Sequence, residues 1–306
     1  MWRLALYTVI LVAVLFLAGG LLHGSIPGVA AALLLAGLVA GWAVLRLDGF
    51  GLRAMGVHAG PGVTRECGVG LGLGVGVALA PVVLMAAAGA VTWTTESGSA
   101  GAWLGSAVWA LGFFALPAAA EEVVFRGYPL QALAELWGPA AAVGLTSVGF
   151  GLLHLGNPGA GTVEAANVTV AGLFLGALVV RTGSLWLASG AHLGWNWAHG
   201  FLADLPVSGL DLVDAPGVVA RVRGEAWLGG GEFGPEGSLA TTAVGLAAAA
   251  WAWWTPRLRP SRALDGVRLL APLRRVRDDG RRGGGTTPPG KDREITERDT
   301  DDGKGP

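Results

Sequence analysis

Charge and cysteine are what this sequence has little of. Of its 306 residues 14% are charged, whereas 52% are apolar and mean hydropathy is +0.55. A soluble globular chain carries about 25% charged residues, so this one is read as a membrane protein. Lys and Arg number 21 against 22 Asp and Glu, and thirteen of the basic residues lie beyond residue 256. The body then has too few cations for a nucleic-acid partner. The lone cysteine, Cys67, excludes an intrachain disulfide, and without a CxxC pair there is no cysteine framework for zinc or redox work. There is no GxSxG elbow and no GxxxxGK[ST] loop. One GxGxxG match, Gly229 to Gly234, sits in a predicted loop without the strand and helix that would make it bind phosphate.

What is present is apolar length. Stretches near the ~20 residues that cross a bilayer as helix run Leu4 to Leu22, Ile26 to Leu45, Gly68 to Val91, Ala102 to about Leu133, Pro139 to Leu155, Glu164 to Val180, Ser184 to Leu202 and Ser238 to Trp254. The expected fold is an all-α polytopic transmembrane bundle of about eight spans, the first read as an anchor rather than a signal peptide. Arg3, Arg46, Arg53, Arg65, Arg181 and the basic stretch from Arg257 fall on one side, which puts both termini in the cytoplasm; Arg221 and Arg223 are the exceptions. Residues 1–256 form the expected membrane domain, with its motif-bearing core at 101–203. The tail, 257–306, turns Arg-, Gly-, Pro- and Asp-rich, a composition expected to be disordered. Glycine is abundant, 52 residues; Gly68, Gly72 and Gly76 recur every fourth position with Gly70 and Gly74 interleaved, a spacing that lets membrane helices approach closely.

Ionisable groups inside apolar helices are costly and mark functional sites by default. Three clusters stand out: Glu121, Glu122 and Arg126; His154; and His192 with Asn196 and His199. Glu164 and Asn167, at a predicted helix start, rank below them. The turn at Gly138 and Pro139 predicts an antiparallel hairpin in which Glu121 and His154, each sixteen residues from it, come level roughly 24 Å up the two arms unless Pro129 kinks the first. Glu122 and Arg126 are i and i+4, placed for an ion pair; His192 and Asn196 share a helix face by the same spacing. A carboxylate and an imidazole converging on one water can deprotonate it, and a second His and an Asn can hold the oxyanion of amide hydrolysis. Equally, Glu121, His154 and His192 make a two-His, one-carboxylate set suited to Zn²⁺ or another divalent metal. His199 reads as an interhelical hydrogen bond, His23 and His58 as solvated loop residues, and Cys67 as a loop residue without a His neighbour.

Written out, Glu121-Glu122-Val123-Val124-Phe125-Arg126 reads EExxxR, Phe150-Gly151-Leu152-Leu153-His154 reads FxxxH, and His192-Leu193-Gly194-Trp195-Asn196 reads HxxxN. In this order, on hydrophobic segments, they resemble the motifs of the CPBP family of intramembrane proteases, which includes the type II CAAX prenyl endopeptidases and bacteriocin-immunity relatives. The resemblance implies an endopeptidase in which Glu121 activates water with His154, Glu122 and Arg126 support the motif-bearing helix, and His192 with Asn196 hold the oxyanion or help bind a divalent metal. The implied partners are the lipid bilayer of the cell membrane and a membrane-associated peptide or protein substrate. A prenylated CAAX substrate does not carry over, since the Gly/Ala/Arg-rich composition suggests a high-GC prokaryote. Two rivals are a catalytically silent peptide-binding or immunity protein and a small-solute transporter; the N-terminal half lacks the matching polar motifs that a transporter's internal repeat would bring.

Overall fold

The computed structural model describes residues 1–22, 24–60 and 62–264. Its helices are α1 (Trp2–Leu22), α2 (Ile26–Arg46), α3 (Gly62–Ala87), α4 (Ala100–Arg126), α5 (Tyr128–Trp137), α6 (Pro139–Leu153), α7 (Thr162–Thr182), α8 (Leu185–Trp197), the one-turn α9 (Ala226–Gly229) and α10 (Leu239–Trp254). Among the described residues, six helical stretches are long and apolar enough to cross a membrane, with α4 and α5 counted as one. The two remaining predicted spans correspond to α8, prolonged by a π-helical turn at Ala198–Leu202, and to the 16-residue α10. Serines set four of the starts. Ser25, Ser99, Ser184 and Ser238 each accept a hydrogen bond from the backbone N–H three residues on, satisfying a donor that the helix itself leaves unpaired.

The first arm of the predicted hairpin is broken. Pro129 has no N–H to give to a continuing ladder and its ring crowds the carbonyl four residues back, so the helix ends at Arg126 and restarts at Tyr128. Gly138, with φ of 85°, then turns α5 into α6.

Close packing of small residues joins α3 to α8, but through the interleaved glycines. A Cβ at Gly70 or Gly74 would strike the backbone of α8 between Leu187 and Ala191, and one at Gly190 or Gly194 would strike α3 at Cys67 or Leu71; Gly68, Gly72 and Gly76 face open space. Cys67 therefore lies in a helix with its backbone against Gly190, not in a loop.

Val91, expected to end a span, instead opens strand β1 (Val91–Thr95), which pairs antiparallel with β2 (Val218–Val222) in the register Val91 with Val222 and Thr95 with Val218. The Asp204–Gly237 loop is thereby tied to the bundle. After α10 the chain folds back: the Ser261 N–H donates to the Thr182 carbonyl (2.8 Å) and the Ser261 hydroxyl to Glu66 (2.5 Å). The rest of the expected tail, 265–306, lies outside the described residues, as does His23.

Candidate active site

Glu121 and Glu122 are neighbours on α4 with different surroundings. The Glu122 side chain is fully buried, and its Oε1 accepts from Arg126 Nη1 one turn on (2.9 Å) and pairs with His192 Nδ1 on α8 (3.0 Å). Arg126, equally buried, donates through Nη2 to the Gly172 carbonyl of α7 (3.3 Å) and lies 4.4 Å over the Phe150 ring. Gly172 makes this possible, since a Cβ there would come within 3.0 Å of Arg126 Nη2 and crowd Ser147. One ion pair and one imidazole thus fix α4, α7 and α8 to each other.

A carboxylate accepts only, so the His192 proton on this bond sits on Nδ1, and Nε2 is turned toward Glu121. Nε2 and Glu121 Oε2 are 3.6 Å apart, beyond a direct hydrogen bond. The Glu121 side chain keeps 27% of its exposure, yet its Oε2 is buried and has no hydrogen-bond partner among the described residues.

His154 caps the C-terminus of α6. Its Nδ1 meets the Phe150 carbonyl at 2.8 Å, which assigns the proton to Nδ1 and leaves Nε2 as an acceptor. The Phe150 ring stands edge-on to both imidazoles, with centroids 4.6 Å from His154 and 5.8 Å from His192. Glu121, His154, His192 and Asn196 all line one cavity of about 310 Å³, whose remaining wall is largely apolar.

The loop supplies a roof. Ser208 and Glu236 also face this cavity. The buried Glu236 carboxylate accepts from Trp195 Nε1 (2.8 Å) and from the backbone N–H (2.5 Å) and hydroxyl (2.8 Å) of Ser208. Asn157, three residues past His154, donates to the Ser208 carbonyl (2.9 Å). Ser208 is held at φ of 49°, a left-handed conformation rare outside glycine. Sequence reasoning missed Glu236, Ser208 and Asn157. A signal existed in Glu236 and Asn157, polar residues beside prolines that fix turns.

The other singled-out residues stand elsewhere. His199 is buried with Nε2 on the Ala78 carbonyl (3.0 Å), an interhelical bond. Asn167 donates to the carbonyls of Glu236 (2.7 Å) and Ser238 (3.0 Å), tying the loop to α7, and Glu164 sits in the first turn of that helix. His58 corrects the expectation of a solvated residue: it is 3% exposed and its Nε2 meets Glu66 at 2.9 Å.

An imidazole and a carboxylate 3.6 Å apart can share one tetrahedral ion at ~2.0–2.1 Å from each. Among the described residues, however, no three His, Cys, Asp or Glu side chains gather closely enough to hold a metal. The set of Glu121, His154 and His192 does not meet the three-ligand requirement of catalytic zinc, and we derive no step through a metal.

Fold and site define a class: a polytopic helical membrane protein with an ion-paired carboxylate and two imidazoles around a small cavity. Residues 103–198 match the family described as Type II CAAX prenyl endopeptidase Rce1-like, a stretch holding all three motifs. This match covers about a third of the chain and supports the resemblance to the CPBP family, which is generally a protease family. Comparison with curated proteins and with solved structures gave no match.

Proposed function

We propose that the chain is an intramembrane endopeptidase, hydrolysing a peptide bond of a membrane-associated protein or peptide with water activated by Glu121 and His154. The observation that carries this reading is Glu121 Oε2, a buried oxygen without a hydrogen-bond partner among the described residues, facing His192 across 3.6 Å at the cavity. An uncommitted polar atom in a buried wall costs about 1–3 kcal/mol, a cost that makes sense where the atom must accept a proton.

Glu121 takes a proton from water while His154 Nε2 orients it. The hydroxide adds to the carbonyl carbon, and the oxyanion accepts hydrogen bonds from His192 Nε2–H and the Asn196 amide. Collapse breaks the C–N bond, and the proton on Glu121 passes to the leaving amine. For His192 to donate, it must be protonated on both nitrogens. Two carboxylates are then balanced by Arg126 and an imidazolium, a neutral set suited to a poorly solvated site. In this reading the chain lies in the cell membrane with both termini cytoplasmic, following its arginines.

The test is peptide cleavage by the full chain in detergent, wild type against Glu121→Gln, with and without chelator. A general base contributes about 10²–10⁴-fold, so the variant should lose that much rate at unchanged melting temperature. Equal rates would overturn the proposal. Peptide held but left uncut by the wild type would make the chain a binding or immunity protein, and loss of wild-type cleavage on chelation would bring a divalent metal into the site.

A further inference from the structure

At the ends of α7 and α10 and the starts of α3 and α8 lies a second concavity, of about 830 Å³, apart from the site above. Five arginines line it, Arg53, Arg65, Arg257, Arg259 and Arg262, against one carboxylate, Glu66. Leaving Arg53 aside, the other four outnumber Glu66 by three positive charges, and all five arginines are exposed.

Glu66 serves to build the concavity more than to neutralise it. Its Oε1 accepts from the Ser261 hydroxyl (2.5 Å), and its Oε2 takes the Ser184 hydroxyl and His58 Nε2 (2.9 Å). Three walls are pinned to one carboxylate: the loop before α3, the start of α8 and the segment after α10. Arg65 is mounted beside that knot, and Arg257, Arg259 and Arg262 on the segment it holds. No ion pair joins these four to an acidic group among the described residues. Like charges gathered on a fixed frame repel unless an anion sits between them, and guanidinium forks match phosphoryl oxygens in pairs. The position agrees, because helix ends lie at headgroup level and basic pockets there attract anionic lipids.

We propose that this concavity binds a phosphate-bearing anion, the arginines holding its oxygens. The phosphate belongs either to the headgroup of an acidic phospholipid or to a soluble ion. The proposal does not depend on the peptidase reading.

The full chain in neutral detergent is titrated with short-chain phosphatidylglycerol, with phosphatidylcholine of equal chain length as control. In parallel it is titrated with sodium phosphate against sodium chloride at matched ionic strength. Saturable binding of phosphatidylglycerol that sodium phosphate does not displace assigns the site to a lipid; saturable binding of phosphate that competes with the lipid assigns it to a soluble ion. At about fivefold per arginine, the triple variant Arg257→Gln, Arg259→Gln, Arg262→Gln should bind roughly a hundredfold more weakly. Arg65→Gln alone, away from the docked segment, should lose about fivefold, guarding against a triple variant whose segment has come loose. Binding of neither probe, equal binding of both lipids, or full affinity in both variants overturns the proposal.

Discussion

Two pairs of carboxylates in this molecule are bonded differently. Glu66 at the arginine-lined face, like Glu236 in the roof of the candidate active site, has both oxygens engaged by donors. Glu121 and Glu122 each leave one buried oxygen, Oε2, without a hydrogen-bond partner among the described residues. The first pair fastens segments that are distant in sequence, a task for which saturation is the best arrangement. The second pair shares a single imidazole, His192, between an oxygen that is anchored and one that is not. Within one pair of adjacent residues, then, Glu122 holds the ring and Glu121 faces it unbonded.

By that division the two neighbours should fail in different ways. Glu122→Gln removes the charge opposite Arg126, which is fully buried and has no other carboxylate within ion-pair distance among the described residues. Breaking a buried pair from one side costs about 3–5 kcal/mol. The variant should therefore lose folded yield and melting temperature together with activity, whereas Glu121→Gln should lose activity alone. Replacing both partners, Glu122→Gln with Arg126→Met, should recover much of the melting temperature but not cleavage, because the neutral amide can still accept from His192 Nδ1–H but no longer supplies the charge that favours a doubly protonated His192. Equal melting temperatures for the two single variants would erase the distinction.

A smaller effect tests whether a saturated carboxylate at the cavity acts only as a fastener. Glu236→Gln keeps one acceptor but turns an amide N–H₂ toward a donor, either Trp195 or Ser208. The expected loss is about 1–3 kcal/mol, read as faster proteolytic nicking between residues 204 and 237. Activity should fall through KM, as the roof loosens, with kcat nearly kept. A collapse of kcat with the loop still protected would move Glu236 into the chemistry.

These contrasts were unevenly legible in the sequence. Glu121, Glu122, Arg126, His154, His192 and Asn196 stood out because charge and amide groups are expensive in apolar helices, and helical spacing put partners such as Glu122 and Arg126 on one face. Glu236 offered only the turn at its neighbouring proline: in a glycine-rich loop a carboxylate costs nothing in itself, and its partners Trp195 and Ser208 lie 41 and 28 positions away. His58 read as solvated for the same reason, and Glu66 was not singled out. The break at Gly127 was visible only as a doubt about Pro129. The pairing of β1 with β2 joins short segments more than a hundred residues apart, and nothing in their composition names the partner. Spacing showed that glycines would bring helices together, but which phase of the repeat did so depended on the rotation of α3 against α8.

The gentlest test concerns the other residue of the roof held in a left-handed conformation. Asp204, at φ of 55°, accepts from the N–H groups of Ala215 (3.4 Å) and Ala220 (2.9 Å), fixing the approach to β2. Burial raises its carboxyl above the usual range, and neighbouring Asp214 and Asp211 add to this against the two backbone bonds. A carboxyl raised in the folded state binds more protons there than in the unfolded chain. Its contribution is therefore greatest at low pH and declines as pH rises from the unfolded value of ~3.9 through the folded one. Proteolytic nicking of the loop should accordingly quicken across that window, by less than about fivefold since the group is partly exposed. Asp204→Asn, which has no proton to lose, should flatten the profile while keeping one acceptor for β2. A profile equally steep in the variant would assign the pH dependence to another group, and one running the opposite way would mean that the backbone bonds outweigh burial.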